Sequence, residues 1–340
     1  MLIALLCCSP PSVGPITQTD DSTVDSTPPD DSQPVDSEDT GDSYQPGDPL
    51  PYPDFEYDCD DLPSEPVGDK IFDGARAYHG MAFDDDGMLV GWDGRNALTK
   101  TAYDDGYETF VPGIRGVEQM QRHPDGTVYM VMLEEGAVYR LWPEGGTEIV
   151  VGGLYWGYGL ELAPDGSLLI ADGNVLRLDP ESGELEVLFE KGPNDSWMAH
   201  SLTLNLDSTM LYVGGVGDGN IYRAPLDENL APTGELERFA RTPGQWKDGL
   251  RMDACGYLWA ADYDTSSLYR ISPEGETEVF FKSTGAGYGH GLVWGRSHGG
   301  WRSDALYLPL PYDRGRVREL VIGVPDGRLV RTWNGEKARY

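Results

Sequence analysis

Residues 248–276 read DGLRMDACGYLWAADYDTSSLYRISPEGE. Apolar side chains alternate with polar or small ones on both sides of the turn at Ala254-Cys255-Gly256, the pattern of antiparallel strands with one buried face. The pattern occurs five more times: HGMAFDDDGMLVGW from His79, EQMQRHPDGTVYMV from Glu118, YGLELAPDGSLLIA from Tyr158, HSLTLNLDSTMLYV from His200 and HGLVWGRSHGGWRSDALYLP from His290. Successive starts lie roughly 40 residues apart, the length of one four-stranded propeller blade. Third strands such as GAVYRLWP, NVLRLDP, GNIYRAPL and SLYRISP follow, then fourth strands such as TEIVVGG, LEVLFEKG, LERFART and TEVFFKS. The reading is all-β: a six-bladed β-propeller over residues 67–340.

KIFDGARA, ahead of His79, reads as a fourth strand with no blade before it. It is expected to complete the sixth blade and latch the ring, with VRELVIG as that blade's third strand. Closing the ring leaves only protected sheet edges. GRLVRTWNG, near the C-terminus, is left over, and is expected to pair at an edge or trail.

In a propeller the innermost strand of each blade runs along the central channel, so its first residue sits at one mouth. The six residues there are His79, Glu118, Tyr158, His200, Asp248 and His290. Three of the chain's five histidines occupy these places, whereas random scattering puts about 0.1 there. Convergent imidazole and carboxylate groups are what metal sites need. The expected ligands are His79, His200, Asp248 and His290, with Glu118 as a further ligand or a proton-transfer group. Mixed nitrogen and oxygen donors favour Zn²⁺, Fe²⁺ or Mn²⁺, with Ca²⁺ the less suited ion. Asp248, Glu118 and Tyr158 are the candidate catalytic groups. Just upstream lie Tyr155, Trp156, Trp197, Trp246 and Tyr288, the expected walls of a substrate pocket. Loops after the second strands bring Asp93, Arg95, Asp172, Asp262, Tyr263, Tyr312, Asp313 and Arg314 to the same mouth. His123 and His298 fall in turns and are expected to face solvent.

The net charge of the 340-residue chain is −33, and 17 acidic residues precede the first basic one, Lys70. The balance disfavours nucleic-acid binding, which needs a basic surface, and any polybasic membrane face. Residues 9–66, with DDSTVDSTPPDDSQPVDSEDTGD at their heart, are too polar and too alike in charge to offset ordering entropy and are expected to form a disordered acidic linker. Residues 1–8, MLIALLCC, resemble the end of a bacterial lipoprotein signal peptide, with Cys7 or Cys8 as the lipidated residue. The chain is therefore expected to be exported to the bacterial outer membrane or cell surface, touching membrane only through its N-terminal lipid, with a periplasmic or secreted protein as the alternative. The remaining cysteines, Cys59 and Cys255, form a pair that export favours as a disulfide. A monomer acting on a small molecule or surface ligand is the expected state.

The blades, above all residues 248–276, resemble those of the regucalcin/gluconolactonase (senescence-marker-protein-like) family. The resemblance implies lactone hydrolysis with a divalent metal held at the channel mouth by a Glu, an Asn and an Asp. Asp248, followed by Gly249-Leu250, matches the metal-binding Asp, which also serves as catalytic base. The Glu position is His79 here, and the Asn position is His200. His79-Gly80-Met81, His200-Ser201-Leu202 and His290-Gly291-Leu292 are similar to the zinc-binding segments of peptidyl-hydroxyglycine amidating lyases, and LYRISPEGETEVF is similar to the repeat of streptogramin lyases. The reading that follows is a metal-dependent, lactonase- or esterase-like hydrolase. The alternatives are a metal-dependent lyase and a non-catalytic surface propeller that binds a glycan, peptide or protein.

Overall fold

The computed structural model describes residues 56–192, 195–284 and 290–338. Cys7, Cys8, most of the acidic linker and Tyr288 lie outside them.

The strands form six four-stranded antiparallel sheets in a ring. Blade 1 comprises Met81–Phe83, Leu89–Trp92, Ala97–Thr101 and Tyr107–Pro112. Blade 2 comprises Val117–Arg122, Val128–Met132, Ala137–Leu141 and Thr147–Gly152, and blade 3 Gly159–Leu162, Leu168–Asp172, Asn174–Leu178 and Leu185–Phe189. Blade 4 holds Met198–Leu204, Met210–Val216, Asn220–Pro225 and Glu237–Arg241, and blade 5 Lys247–Met252, Leu258–Asp262, Ser267–Ile271 and Thr277–Lys282. Each turns at a short polar hairpin, such as Asp125-Gly126, where Gly126 takes φ 89°, a left-handed conformation that suits glycine.

Blade 6 is built from both ends of the domain. Val293–Trp294, Ala305–Leu310 and Arg316–Val321 come from the C-terminal side, and Gly68–Phe72 adds the outer strand. Gly68 pairs with Val321 and Phe72 with Val317, so the expected latch is present. Six apolar clusters among the described residues fill the six blade-to-blade interfaces, including the closing one, where Phe72, Met81 and Phe83 meet Trp301, Tyr307 and Val317. Burying these faces is the main force that holds neighbouring blades together. Cys59 and Cys255 form a disulfide, Cα–Cα 5.4 Å, that ties the leading segment to blade 5.

The C-terminal tail corrects the expectation of an edge strand or a loose end. After blade 6 it makes a 3-10 turn at Gly327–Leu329 and a small hairpin of Thr332–Trp333 with Glu336–Lys337. Arg331 is buried, donating from Nη1 to Glu161 Oε1 at 2.6 Å and from Nη2 to the Leu204 carbonyl at 2.7 Å. Arg328 donates to Gln121 Oε1 at 2.7 Å. Gln121, Glu161 and Arg251 each stand three residues beyond a mouth position on an inner strand, so the tail packs at the end of the channel opposite the mouth.

Candidate active site

Three of the six mouth residues sit where the backbone of an inner strand departs from regular pairing. The register of blade 2 shifts between Val117 and Met120, that of blade 4 between Ala199 and Ser201, and that of blade 5 between Lys247 and Gly249. Glu118, His200 and Asp248 therefore sit in bulges, which re-aim a side chain out of the pleat. The residue after a mouth position is often glycine for a steric reason. A Cβ on Gly80 would lie 2.4 Å from the Glu118 carbonyl oxygen, and one on Gly159 would lie 2.6 Å from that of His200. Across the channel, the Gln119 amide donates to the Asp248 carbonyl at 2.9 Å. Sequence reading passed over that tie, since Gln119 carries no motif.

The side chains form two imidazole–carboxylate pairs. His79 Nδ1 meets Glu118 Oε2, and His290 Nδ1 lies 3.1 Å from Asp248 Oδ2. The two rings stack, with centroids 4.2 Å apart and planes 12° from parallel. The Tyr158 hydroxyl stands between them, 3.5 Å from His79 Nδ1 and 3.3 Å from His290 Nδ1. His200 lies behind Tyr158, ring on ring at 3.6 Å. Its Nδ1 is 3.1 Å from the Lys247 carbonyl and 3.5 Å from Asp248 Oδ1, and its Nε2 is 3.2 Å from the Trp246 indole nitrogen.

Asp248 is 0% exposed, and its contacts with His290 and His200 are close approaches without hydrogen-bond geometry, so neither carboxylate oxygen accepts a hydrogen bond; His290 Nε2 is likewise buried without one. Burial pushes the Asp248 carboxyl well above the usual range, and the negative charges of Glu118, Asp262 and Asp264 add to the effect. Burial also pushes the Tyr158 phenol up, helped by Asp248 and Glu118. His200 falls to about 3 through burial, and His290 falls through burial and the proximity of His79 and His200. Both imidazoles are thus neutral at neutral pH.

Trp156 and Trp246 lie beside the mouth residues: Trp156 lies 5.2 Å from the His200 ring and 6.3 Å from Trp246, and Trp246 lies 6.0 Å from Tyr263. Tyr263 and Tyr312 share a hydroxyl–hydroxyl bond of 2.8 Å and both flank His290. Trp197 is placed differently, stacked on Tyr222 at 4.5 Å on the side of blade 4. Several loop acids build the scaffold. Asp93 accepts the amides of Arg95, Asn96 and Ala97, and Asp172 those of Tyr155 and Trp156. Asp262 is fully buried with Lys247, 2.7 Å from its Nζ. His298 is exposed, while His123 contacts Asp125 and the edge of Tyr129.

Comparison with known proteins agrees with the architecture. A family model described as "SMP-30/Gluconolactonase/LRE-like region" matches residues 114–282, so the propeller carries a region of that family. A 6-deoxy-6-sulfogluconolactonase of Pseudomonas putida is 33% identical over 106 residues, 31% of this chain. The match spans about a third (35%) of that relative's length. Among solved structures, a gluconolactonase from Xanthomonas campestris superposes with a TM-score of 0.63 at 16% identity, covering 77% of this chain and 92% of its own. A calcium-binding regucalcin from Agrobacterium tumefaciens gives a TM-score of 0.61 at 16% identity, covering 81% and 99%. These superpositions establish a shared propeller fold.

One of these structural neighbours, the regucalcin, is described as a calcium-binding protein. No group of three or more His, Cys, Asp or Glu side chains among the described residues is arranged as a ready ligand set. The orphaned oxygens of Asp248 and the orphaned Nε2 of His290 nevertheless fit a cation chemically, because buried acceptors without donors are what a metal satisfies.

Proposed function

We propose that this protein is a lactonase-like hydrolase acting on a small organic substrate at the channel mouth. The observation that carries the proposal is the meeting of two imidazole–carboxylate pairs at the Tyr158 hydroxyl, within a propeller that carries a gluconolactonase-like region. A carboxylate can only accept, so Glu118 holds the proton on His79 Nδ1 and leaves the Nε2 lone pair to act as a base. In the proposed reaction a water oxygen bonds to the lactone carbonyl carbon and its proton passes to His79 Nε2. The ring C–O bond then breaks, and that proton returns to the departing oxygen, giving the open hydroxy acid. Tyr158 donates to the carbonyl oxygen as negative charge develops there. Asp248 and His290 are the residues that would hold a divalent cation, with Zn²⁺, Fe²⁺ or Mn²⁺ better matched than Ca²⁺. Such a cation supplies Lewis-acid polarisation of a carbonyl or activation of water.

The reading includes an exported, N-terminally lipidated chain that holds the propeller off a membrane on its acidic linker. The Cys59–Cys255 disulfide supports an oxidising compartment, and radiolabelled fatty-acid incorporation that survives in Cys7→Ser but is lost in Cys8→Ser, or the reverse, tests the anchor.

The activity is tested by proton release from a panel of small lactones at constant pH. Wild type should accelerate ring opening, and His79→Gln should lower kcat by roughly 10²–10⁴-fold, the usual worth of a positioned acid–base group. Wild type that leaves every lactone at its background rate refutes the assignment.

A further inference from the structure

We infer that His200 is a positioning residue that fixes Tyr158, and not one of the ligands of the cation site. The argument is one of nitrogen bookkeeping. Its Nδ1 faces the Lys247 carbonyl at 3.1 Å, and a carbonyl only accepts, so Nδ1 carries the ring proton. Its Nε2 faces the Trp246 indole N–H at 3.2 Å, and an indole only donates, so Nε2 carries the lone pair and commits it to that bond. One neutral tautomer satisfies both contacts. Coordination to a cation needs that lone pair, and so requires breaking the indole bond and turning the ring away from Lys247.

The surroundings oppose such a turn. His200 is 0% exposed, and its faces are covered by Tyr158 at 3.6 Å and Trp156 at 5.2 Å. The carbonyl that selects the tautomer is itself anchored, because Lys247 Nζ is held by the Gly244 carbonyl at 2.5 Å and by Asp262 at 2.7 Å. His290 is the contrast: it occupies the equivalent place on blade 6, yet its Nε2 is buried with no partner. Two histidines in the same blade position thus have different chemistry. His200 supports the ring whose hydroxyl stands 3.3 Å from His290 Nδ1, and His290 keeps a nitrogen for a ligand.

Only the kinetic consequence rests on the hydrolase reading; the tautomer and the cation preference stand apart from it. The full chain labelled with ¹⁵N-histidine is examined by long-range ¹H–¹⁵N NMR at neutral pH, with His200 assigned by loss of its signals in His200→Gln. The expected result is a neutral ring protonated at Nδ1 whose Nε2 signal does not move when Zn²⁺ alone is added in excess. Trp246→Phe, which removes only the indole donor, should shift that Nε2 signal and leave Nδ1 protonated. Calorimetry with Zn²⁺ should give His200→Gln an affinity within about threefold of wild type. His290→Ala should lose more than the roughly 10–100-fold that an outer partner is worth. Against lactones, His200→Gln should lower kcat with KM unchanged, and adding Tyr158→Phe should cost nothing more, because the two act as one unit. A ring protonated at Nε2, a zinc-induced shift at His200, or a zinc affinity that collapses in His200→Gln overturns the inference. Absence of lactone hydrolysis in wild type refutes only the hydrolase reading, since the NMR measurements do not depend on it.

Discussion

Arg331 Nη1 lies 2.6 Å from Glu161 Oε1, and Arg251 Nη1 lies 2.6 Å from Glu161 Oε2, all three side chains being buried. The C-terminal tail is thereby bonded to the inner strands of the propeller at the end away from the mouth. Removing one partner of a buried ion pair costs about 3–5 kcal/mol, because the remaining charge loses its compensation. Arg251 stays on Glu161, so Arg331→Met should fall near the lower figure. Urea unfolding should show an earlier midpoint with an unchanged slope.

The disulfide offers a second test. Cys59 and Cys255 are separated by 196 residues, and closing a loop of that size removes about 5 kcal/mol of unfolded-state entropy in the chain-entropy picture. Reductant should therefore lower the melting temperature of the oxidised wild type. The double variant Cys59→Ser/Cys255→Ser should melt near the reduced wild type and ignore reductant.

Packing between inner strands gives a third. Alanine at Gly80 brings a Cβ to 2.4 Å from the Glu118 carbonyl oxygen and 2.7 Å from Gln119 Cα. Both neighbours are backbone and cannot rotate away, so blade 2 must shift, at about 1–3 kcal/mol for overpacking. The shift moves Glu118 off His79. Gly80→Ala should lose lactone-hydrolysing activity by a larger factor than its loss of stability explains. Gly106→Ala, where a Cβ meets nothing within 4 Å, serves as the control.

These cases show what the sequence alone reveals. The blades were legible because each repeat carries its own alternation and turn, as in residues 248–276, and because the unmatched strand Gly68–Phe72 has one vacant edge to fill. The mouth positions were legible from the repeat as well. Their chemistry was not. His200-Ser201-Leu202 and His290-Gly291-Leu292 look alike in sequence, and what separates them is the Lys247 carbonyl and the Trp246 indole, contributed by the neighbouring blade. The tail was opaque for a similar reason: nothing in GRLVRTWNG marks Arg328 or Arg331 as partners of Gln121 and Glu161, which only the fold brings beneath them.

The tail also predicts a pH dependence. Asp326 is buried, which alone would raise its pKa, but the charge and hydrogen bonds of Arg328 hold it below the ordinary 3.8. A carboxylate depressed in the folded state contributes stability that is fully present above its unfolded pKa. That contribution is lost as pH falls through the folded pKa, because the unfolded chain takes up the proton first. Unfolding free energy should therefore drop as acid is added below about pH 4, with part of the drop owed to this residue. Asp326→Asn keeps an oxygen to accept the Arg328 amide but carries no charge to lose. Its stability should start lower at neutral pH and fall less steeply below pH 4 than that of wild type. Parallel acid slopes for the two proteins would show that Asp326 contributes nothing to the acid sensitivity of the fold.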